Sequence, residues 1–252
     1  SETAFDQWDE MSIFIVFQGR SIGRNDHIIN KGWGLKHDDR GNKGYFPIYG
    51  TSGTDQRYYT LTSTQWNSPH IINLLYGKGT RKVYFNGVEK LSLNDTGTIA
   101  SSTRPLALGG RVNTTSGDDD AESKINLSEL LIFQSRLALP DQTKIEGFLA
   151  HKWGLTGDLE SSHPHKTSAP SFDDPISAVD LTLFWGPNDG GTNSAIWENN
   201  VSLGRFYAEE KIDGFSAKAY EIPTSLDKTQ VATDYFADIN QLLALTPTGS
   251  AV

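Results

Sequence analysis

No cysteine occurs among the 252 residues, so disulfides and thiolate metal sites are both excluded. That absence leaves the compartment open. Methionine appears once, and no apolar run approaches the ~20 residues that a membrane-spanning helix needs. A signal-peptide pattern is also missing, and the chain opens Ser1-Glu2-Thr3, as expected of a processed mature protein or a fragment. Basic residues are the scarcer charge: 22 Lys and Arg stand against 31 Asp and Glu, for a net charge of -9. An acidic surface repels phosphate backbones, which argues against nucleic acid as a partner. No basic amphipathic stretch argues for a membrane surface.

Glycine (24 residues), Ser, Thr and Asn are plentiful, and aromatics make up 11% of the chain. That mixture suits many short strands joined by tight turns, with aromatic side chains filling a sandwich core. The length allows one large all-β domain or a large domain with a smaller one. Four Asn-x-Ser/Thr sequons, at Asn94, Asn113, Asn126 and Asn200, are read first as chance in so Asn- and Ser-rich a chain and second as glycosylation sites.

Strand signals recur from the start. The run 11–17, apolar but for Ser12, ends at Gln18-Gly19, which predicts a strand buried on both faces. Further strands are expected over 32–35, 45–49, 58–62, 70–76, 106–108 and 125–133. The sharpest local signal is 81–91, where two β-prone arms flank Asn86-Gly87. This pair accepts positive φ at both centres of a type I′ hairpin turn.

One helix stands out, from Pro140 to Trp153. Ile145, Phe148, Leu149 and Trp153 recur three or four apart on one face; Pro140 and Asp141 suit its first turn, and Gly154 its end. The spacing predicts an amphipathic helix laid on a sandwich. Periodicity stops over 159–174, and a linker is expected at 167–178. Val179 to Trp185 then alternates as a half-buried strand and opens a second unit, 179–252.

Two stretches carry a family resemblance. Residues 126–139, followed by 144–155 and by Ser162-His163-Pro164-His165, resemble the closing strand and trailing helix of laminin-G-like (concanavalin-A-like) jelly-roll modules in bacterial surface proteins. The hairpin 83–88 resembles another part of that module. Residues 181–192, with Trp197 and Leu203-Gly204, are similar to a fibronectin-III-like β-sandwich. The resemblance implies an all-β fold: a jelly roll over 1–166 with one C-terminal helix, then a smaller β domain. It also implies a binding or architectural role, and a docking role for the His-Pro stretch. No strand is evident before Met11, nor in the second unit before Val179, so strands are missing there or supplied by another chain.

Catalytic motifs are weak. Gly19-Arg20-Ser21-Ile22-Gly23 matches G-x-S-x-G, but a nucleophile elbow must run into a helix, and 24–30 has no helical face. No strand carries carboxylates at the alternate positions a glucanase needs; Asp6, Asp9 and Glu10 near Trp8 are wrongly spaced and read as a solvated segment.

Asp118, Asp119, Asp120 and Glu122 put four carboxylates in five residues of a loop. They read first as a solvated acidic turn and second as a Ca²⁺ site built from hard oxygen ligands, with Asn188-Asp189 a lesser candidate. His151, His163 and His165 are expected to pack and hydrogen-bond rather than hold zinc. Trp33, Tyr45, Tyr49, Tyr58, Tyr59 and Trp66 lie near loops; most are expected in the core, with one or two available to stack on a sugar.

These observations together predict a non-catalytic extracellular or cell-surface module that recognises a glycan or a matrix protein. A structural subunit of a filament or coat, assembled by strand exchange between identical chains, is the alternative. It draws on the incomplete strand sets and the loose apolar end 242–252. A third alternative is an accessory domain of a secreted hydrolase.

Overall fold

The computed structural model describes residues 7–21, 24–31, 33–38, 40–48, 58–102, 106–112, 119–120, 123–170, 181–187, 194–198, 206–208 and 218–220. The first strands are β1 (Met11–Ser21), β2 (Arg24–Asn30), β3 (Gly34–Asp38), β4 (Lys43–Tyr45) and β5 (Tyr58–Thr60). After helix α1 (Ser63–Asn67) come β6 (His70–Gly77), β7 (Thr80–Phe85) and β8 (Val88–Asn94). Short strands β9 (Ala107–Leu108), β10 (Arg111–Val112) and β11 (Asp119–Asp120) precede the long β12 (Lys124–Phe133) and helix α2 (Leu139–Lys152). The last are β13 (Leu181–Pro187), β14 (Ser194–Glu198), β15 (Phe206–Ala208) and β16 (Lys218–Tyr220).

Two seven-stranded sheets result, in the orders β14-β13-β12-β1-β6-β7-β8 and β16-β15-β9-β2-β3-β4-β5. The described pairings are antiparallel except β9 with β15. This is the all-β sandwich that composition and strand spacing predict. The linker expected at 167–178 lies partly on residues 171–180, outside the described residues. Beyond it, β13 pairs antiparallel with β12, Leu131 opposite Phe184.

Alternation along the central strands explains the layers. Met11, Ile13, Ile15 and Phe17 of β1 join Ile72, Leu74 and Tyr76 of β6 and Leu130 and Ile132 of β12 in the core between the sheets. The second sheet answers with Ile28, Ile29 and Leu35, and Trp33 and Trp66 fill the space beside them. The opposite faces of the same strands are also dry: Phe14, Val16, Ile71, Leu75, Leu131 and Phe133 are all buried. Helix α2 covers that side with Ile145, Phe148 and Leu149, which is why 11–17 is apolar on both faces apart from Ser12.

The local signals behave as their chemistry requires. Asn86 and Gly87 sit at φ +48° and +82°, joining β7 to β8 with Phe85 opposite Val88. Helix α2 has Pro in its first turn, Asp141 at its positive end, and Gly154 at φ +70° just past its end. Helix α1 and strand β2 were not anticipated. The first has a capping box, with Thr62 Oγ1 accepting from the Gln65 amide at 3.1 Å and Gln65 Oε1 from the Thr62 amide at 2.8 Å.

Behind α2, the segment ending in His163-Pro164-His165 lies across the helix. A Cβ on Gly147 would stand 2.3 Å from His165 Cβ, and one on Gly87 would stand 2.8 Å from His163 Cδ2. The two glycines therefore make the seam into which both histidines fit.

Candidate functional site

Strands β3, β4 and β5 are short, but their register aligns six positions in two rows, five of them at least partly exposed and the sixth, Asp38, buried. Lys36 is opposite Tyr45, and Tyr45 is opposite Tyr58. In the next row Asp38 is opposite Lys43, and Lys43 is opposite Thr60. The residues between the rows point the other way: His37 and Tyr59 are buried. Gly44 fixes this arrangement. A Cβ there would lie 2.2 Å from Tyr59 Cζ, so the absent side chain lets the Tyr59 ring fold over the backbone and into the core. Burial pushes the Tyr59 hydroxyl pKa up. Its neighbour Tyr58 is consequently turned outward and is 46% exposed.

Tyr45 and Tyr58 form a tilted pair, with ring centroids 5.8 Å apart and 58° between planes. Lys36 Nζ lies 5.0 Å from the Tyr45 ring centre, and Lys43 Nζ lies 4.2 Å from that of Tyr58. Asp38, the carboxylate in these two rows, is turned to Arg40: its oxygens accept from the Arg40 amide at 3.0 Å, from Nε at 3.0 Å and from Nη2 at 2.6 Å. The patch thus brings two aromatic rings and two lysine side chains together on one face of the sheet. It can bind an amphipathic ring; it holds no paired carboxylates for acid–base work.

The structure sorts the six aromatic candidates. Trp33, Tyr59 and Trp66 are core residues, and Tyr45 and Tyr58 are the two available for stacking. Tyr49 lies outside the described residues, as do Asp118, Glu122, Asn188 and Asp189. Asp119 and Asp120 form β11, paired with Val112 and Arg111 through the backbone; their side chains are outside the description. Ser21 ends β1, and the next described residues form strand β2 rather than a helix, which is not the geometry of a nucleophile elbow.

The three histidines make packing and hydrogen-bond contacts. His151 Nε2–H donates to the His165 carbonyl at 2.9 Å, and His163 Nδ1 accepts from the His165 amide at 3.2 Å. That leaves His163 Nε2 facing Glu146 Oε2 at 3.4 Å, with both side chains buried. Glu146 Oε1 also accepts from Asn73 at 3.1 Å and from Gln142 at 3.3 Å. Burial first, then the charges of His163, Lys144 and His151, lower the pKa of His165. Among the described residues, no three His, Asp or Glu side chains converge as a metal site requires.

A cleft of about 330 Å³ lies elsewhere, between the start of β1, the β6–β7 turn and the residues after β8. Its acidic groups serve the fold. Asp9 accepts from Thr98 Oγ1 at 2.6 Å, Glu10 from the Arg136 amide at 3.3 Å, and Asp95 pairs with Arg81 at 3.3 Å.

Lys36 and Lys43 are the functional candidates that sequence reasoning did not single out. Each alternates with an inward residue, in Lys36-His37-Asp38 and Lys43-Gly44-Tyr45, but nothing in the sequence says that these strands are neighbours.

No protein-family model and no curated protein matches the chain. Among solved structures it is similar to a heptameric SAP-like pentraxin from Limulus polyphemus, at 11% identity and a TM-score of 0.41, over 53% of this chain and 67% of that one. It is similar to a proposed carbohydrate-binding protein from Bacteroides ovatus, at 11% identity and a TM-score of 0.45, over 79% and 56%. A third likeness is to domain 4 of AbnA, an extracellular arabinanase from Geobacillus stearothermophilus in complex with arabinotriose, at 14% identity and a TM-score of 0.36. The chain spans 64% of that domain's length.

Proposed function

We propose that this chain is a non-catalytic recognition module that binds glycans on the outer face of β3, β4 and β5, and that it acts outside the cell in adhesion, as a laminin-G-like module would. The observation that carries the proposal is the Tyr45–Tyr58 pair: one ring is exposed, the other half-buried, and both sit at facing register positions on a sheet. A sugar ring is amphipathic in the same sense as tyrosine. Its C–H face loses water favourably against an aromatic face, while its rim of hydroxyls finds the phenol and ammonium groups around it. Side chains carried on paired strands keep the ordering cost of such a small contact low. A protein partner would need a stable interface of about 800 Å² on this side, well beyond the area of two rings.

Glycan-array screening followed by calorimetry tests this, with Tyr58→Ala as the informative variant. Tyr58 is exposed, so the variant should keep the melting temperature of the parent while losing about tenfold or more in affinity, the equivalent of ~1.4 kcal/mol. An array with no bound glycan, or a Tyr58→Ala protein that binds as well as the parent, removes the proposal.

A further inference from the structure

We infer that this face reads one sugar residue at a time, not a stretch of polymer. The inference rests on the glycan reading of the Tyr45–Tyr58 pair and specifies how much of the ligand that pair touches.

Two tyrosines on facing strands suggest a platform for two successive sugars, and the geometry argues against one. Successive rings of a flat polymer, such as a β-1,4-linked glucan, lie near one plane, so the rings beneath them must be close to coplanar. The planes of Tyr45 and Tyr58 are 58° apart, with centroids 5.8 Å apart. When one sugar of a flat polymer lies face-on to either tyrosine, its neighbour is steeply inclined to the other. A coiled polymer turns its successive rings and can follow that tilt, but it needs two open ring faces.

The pair does not offer two. Tyr58 is 46% exposed and Tyr45 less than that, so together they present less surface than one fully exposed tyrosine. Each ring also has a lysine ammonium standing over it, Lys36 at 5.0 Å from the Tyr45 centre and Lys43 at 4.2 Å from that of Tyr58. Nor does the sheet extend the platform. The position beyond Tyr45 is Lys36, the parallel row holds Asp38, Lys43 and Thr60, and β5 is the edge strand on the side of Tyr58. Among the described residues, no third Tyr, Trp or Phe continues either row.

The apolar contact is thus the size of one sugar ring, and the residues on either side of that sugar stay in water. So small a contact is weak by itself, and adhesion through this face gains its strength from many copies meeting many sugars.

The test is how affinity depends on ligand length. Cello-, malto-, xylo-, manno- and galacto-oligosaccharides of one to six residues, the first as methyl glycosides, are titrated into the whole chain by calorimetry. Methyl glycosides of the sugars in every array hit are added. In any series that binds, the methyl glycoside should already bind. The step to two residues should raise affinity no more than about twofold, the gain from offering two equivalent residues in place of one. Tyr58→Ala should weaken every length by the same factor, because each length makes the same contact.

A steeper rise, or a Tyr58→Ala penalty that grows with length, reveals a second stacked residue and overturns the inference while the glycan reading stands. An array glycan whose own sugars fail to bind as methyl glycosides does the same. If neither the array nor any series binds, both readings fall.

Discussion

His70 shows how a single buried side chain makes this fold sensitive to acid. Its ring lies among Phe17, Phe85 and Trp66, with centroids 4.3, 5.1 and 5.9 Å away. Nδ1–H donates to the Ser68 carbonyl at 2.7 Å, which leaves Nε2 as a bare lone pair with no hydrogen-bond partner among the described residues. Protonating Nε2 would place a charge among aromatic rings with nothing to accept its hydrogen. Burial accordingly lowers the pKa from 6.5 to about 4, against a smaller opposing effect of the Ser68 carbonyl. The unfolded chain takes up this proton near pH 6.5 and the folded protein only near pH 4. Stability is therefore complete above pH 6.5 and falls as the pH drops through that window, by up to roughly 3 kcal/mol. Carboxylates titrate in the lower part of the same range, so the discriminating measurement is a difference between two proteins. His70→Phe keeps the ring and removes the titration. At pH 7 it should be less stable by about 1 kcal/mol for the lost Ser68 hydrogen bond. By pH 4.5 it should be the more stable protein in urea unfolding, and curves that stay parallel from pH 7 to 4.5 would show that His70 is not the group responsible.

At the level of elements, helix α2 is held between the first sheet and the segment that follows it, and Gly147 is where the two constraints meet. Helix propensity alone favours Gly147→Ala by about 1 kcal/mol. The position is buried, however, and the new methyl would lie 2.3 Å from His165 Cβ and 2.9 Å from Cγ. His165 cannot simply swing away, because its carbonyl accepts from His151 and its amide donates to His163. Lys166 beside it is anchored to the carbonyls of Thr156, Gly157 and Leu159. Overpacking of this kind costs about 1–3 kcal/mol, so the net effect should be a loss of stability where propensity predicts a gain. Gly154→Ala provides the contrast: nothing lies within 4 Å, and only its φ of +70° opposes the change, at about 1 kcal/mol. Differential scanning calorimetry of the two variants, with His165→Gly added to the first to remove the clashing Cβ, tests the mechanism; relief of the Gly147→Ala defect, measured against His165→Gly alone, is expected. The helix itself was legible from its apolar spacing and its end signals. The reason for its glycine was not, because His165 comes back to position 147 only through the tertiary fold. Strand β2 was hidden for a related reason. Its pattern, Arg-Asn-Asp-His-Ile-Ile-Asn, is polar at positions that neighbouring strands bury, and bulges break its alternation.

Among the described residues, two large sheets enclose a common core, and the same order of construction decides what sequence can reveal about the site. The apolar alternation of β1, β6 and β12 and the Asn86-Gly87 turn mark the first sheet plainly, since each signal is local. The Tyr45–Tyr58 face depends on three strands that lie 36–60 in the chain and on Gly44 being covered by Tyr59. Six aromatics could therefore be named as candidates, but only the register separates two from the rest. One buried arginine, charge-paired within the first sheet, reaches across to the second. Arg81 of the first sheet lies 3.3 Å from Asp95 and donates from Nη1 to the Phe46 carbonyl at 2.7 Å, which belongs to the loop after β4. Both charged side chains are fully buried. Such a pair is weak evidence of net stabilisation, since desolvation offsets attraction, yet removing one partner strands the other. Asp95→Ala should therefore cost about 3–5 kcal/mol in chemical unfolding. Asp95→Asn, which keeps an oxygen toward Arg81, should cost less. The double change Arg81→Met with Asp95→Leu should recover most of the loss, because no buried charge remains. If Arg81 serves the sheet contact as well as the charge balance, that double variant will be stable but will bind glycans more weakly, as the Phe46 carbonyl next to Tyr45 loses its donor. Recovery of both stability and binding would show instead that core packing alone holds the tyrosine face in place.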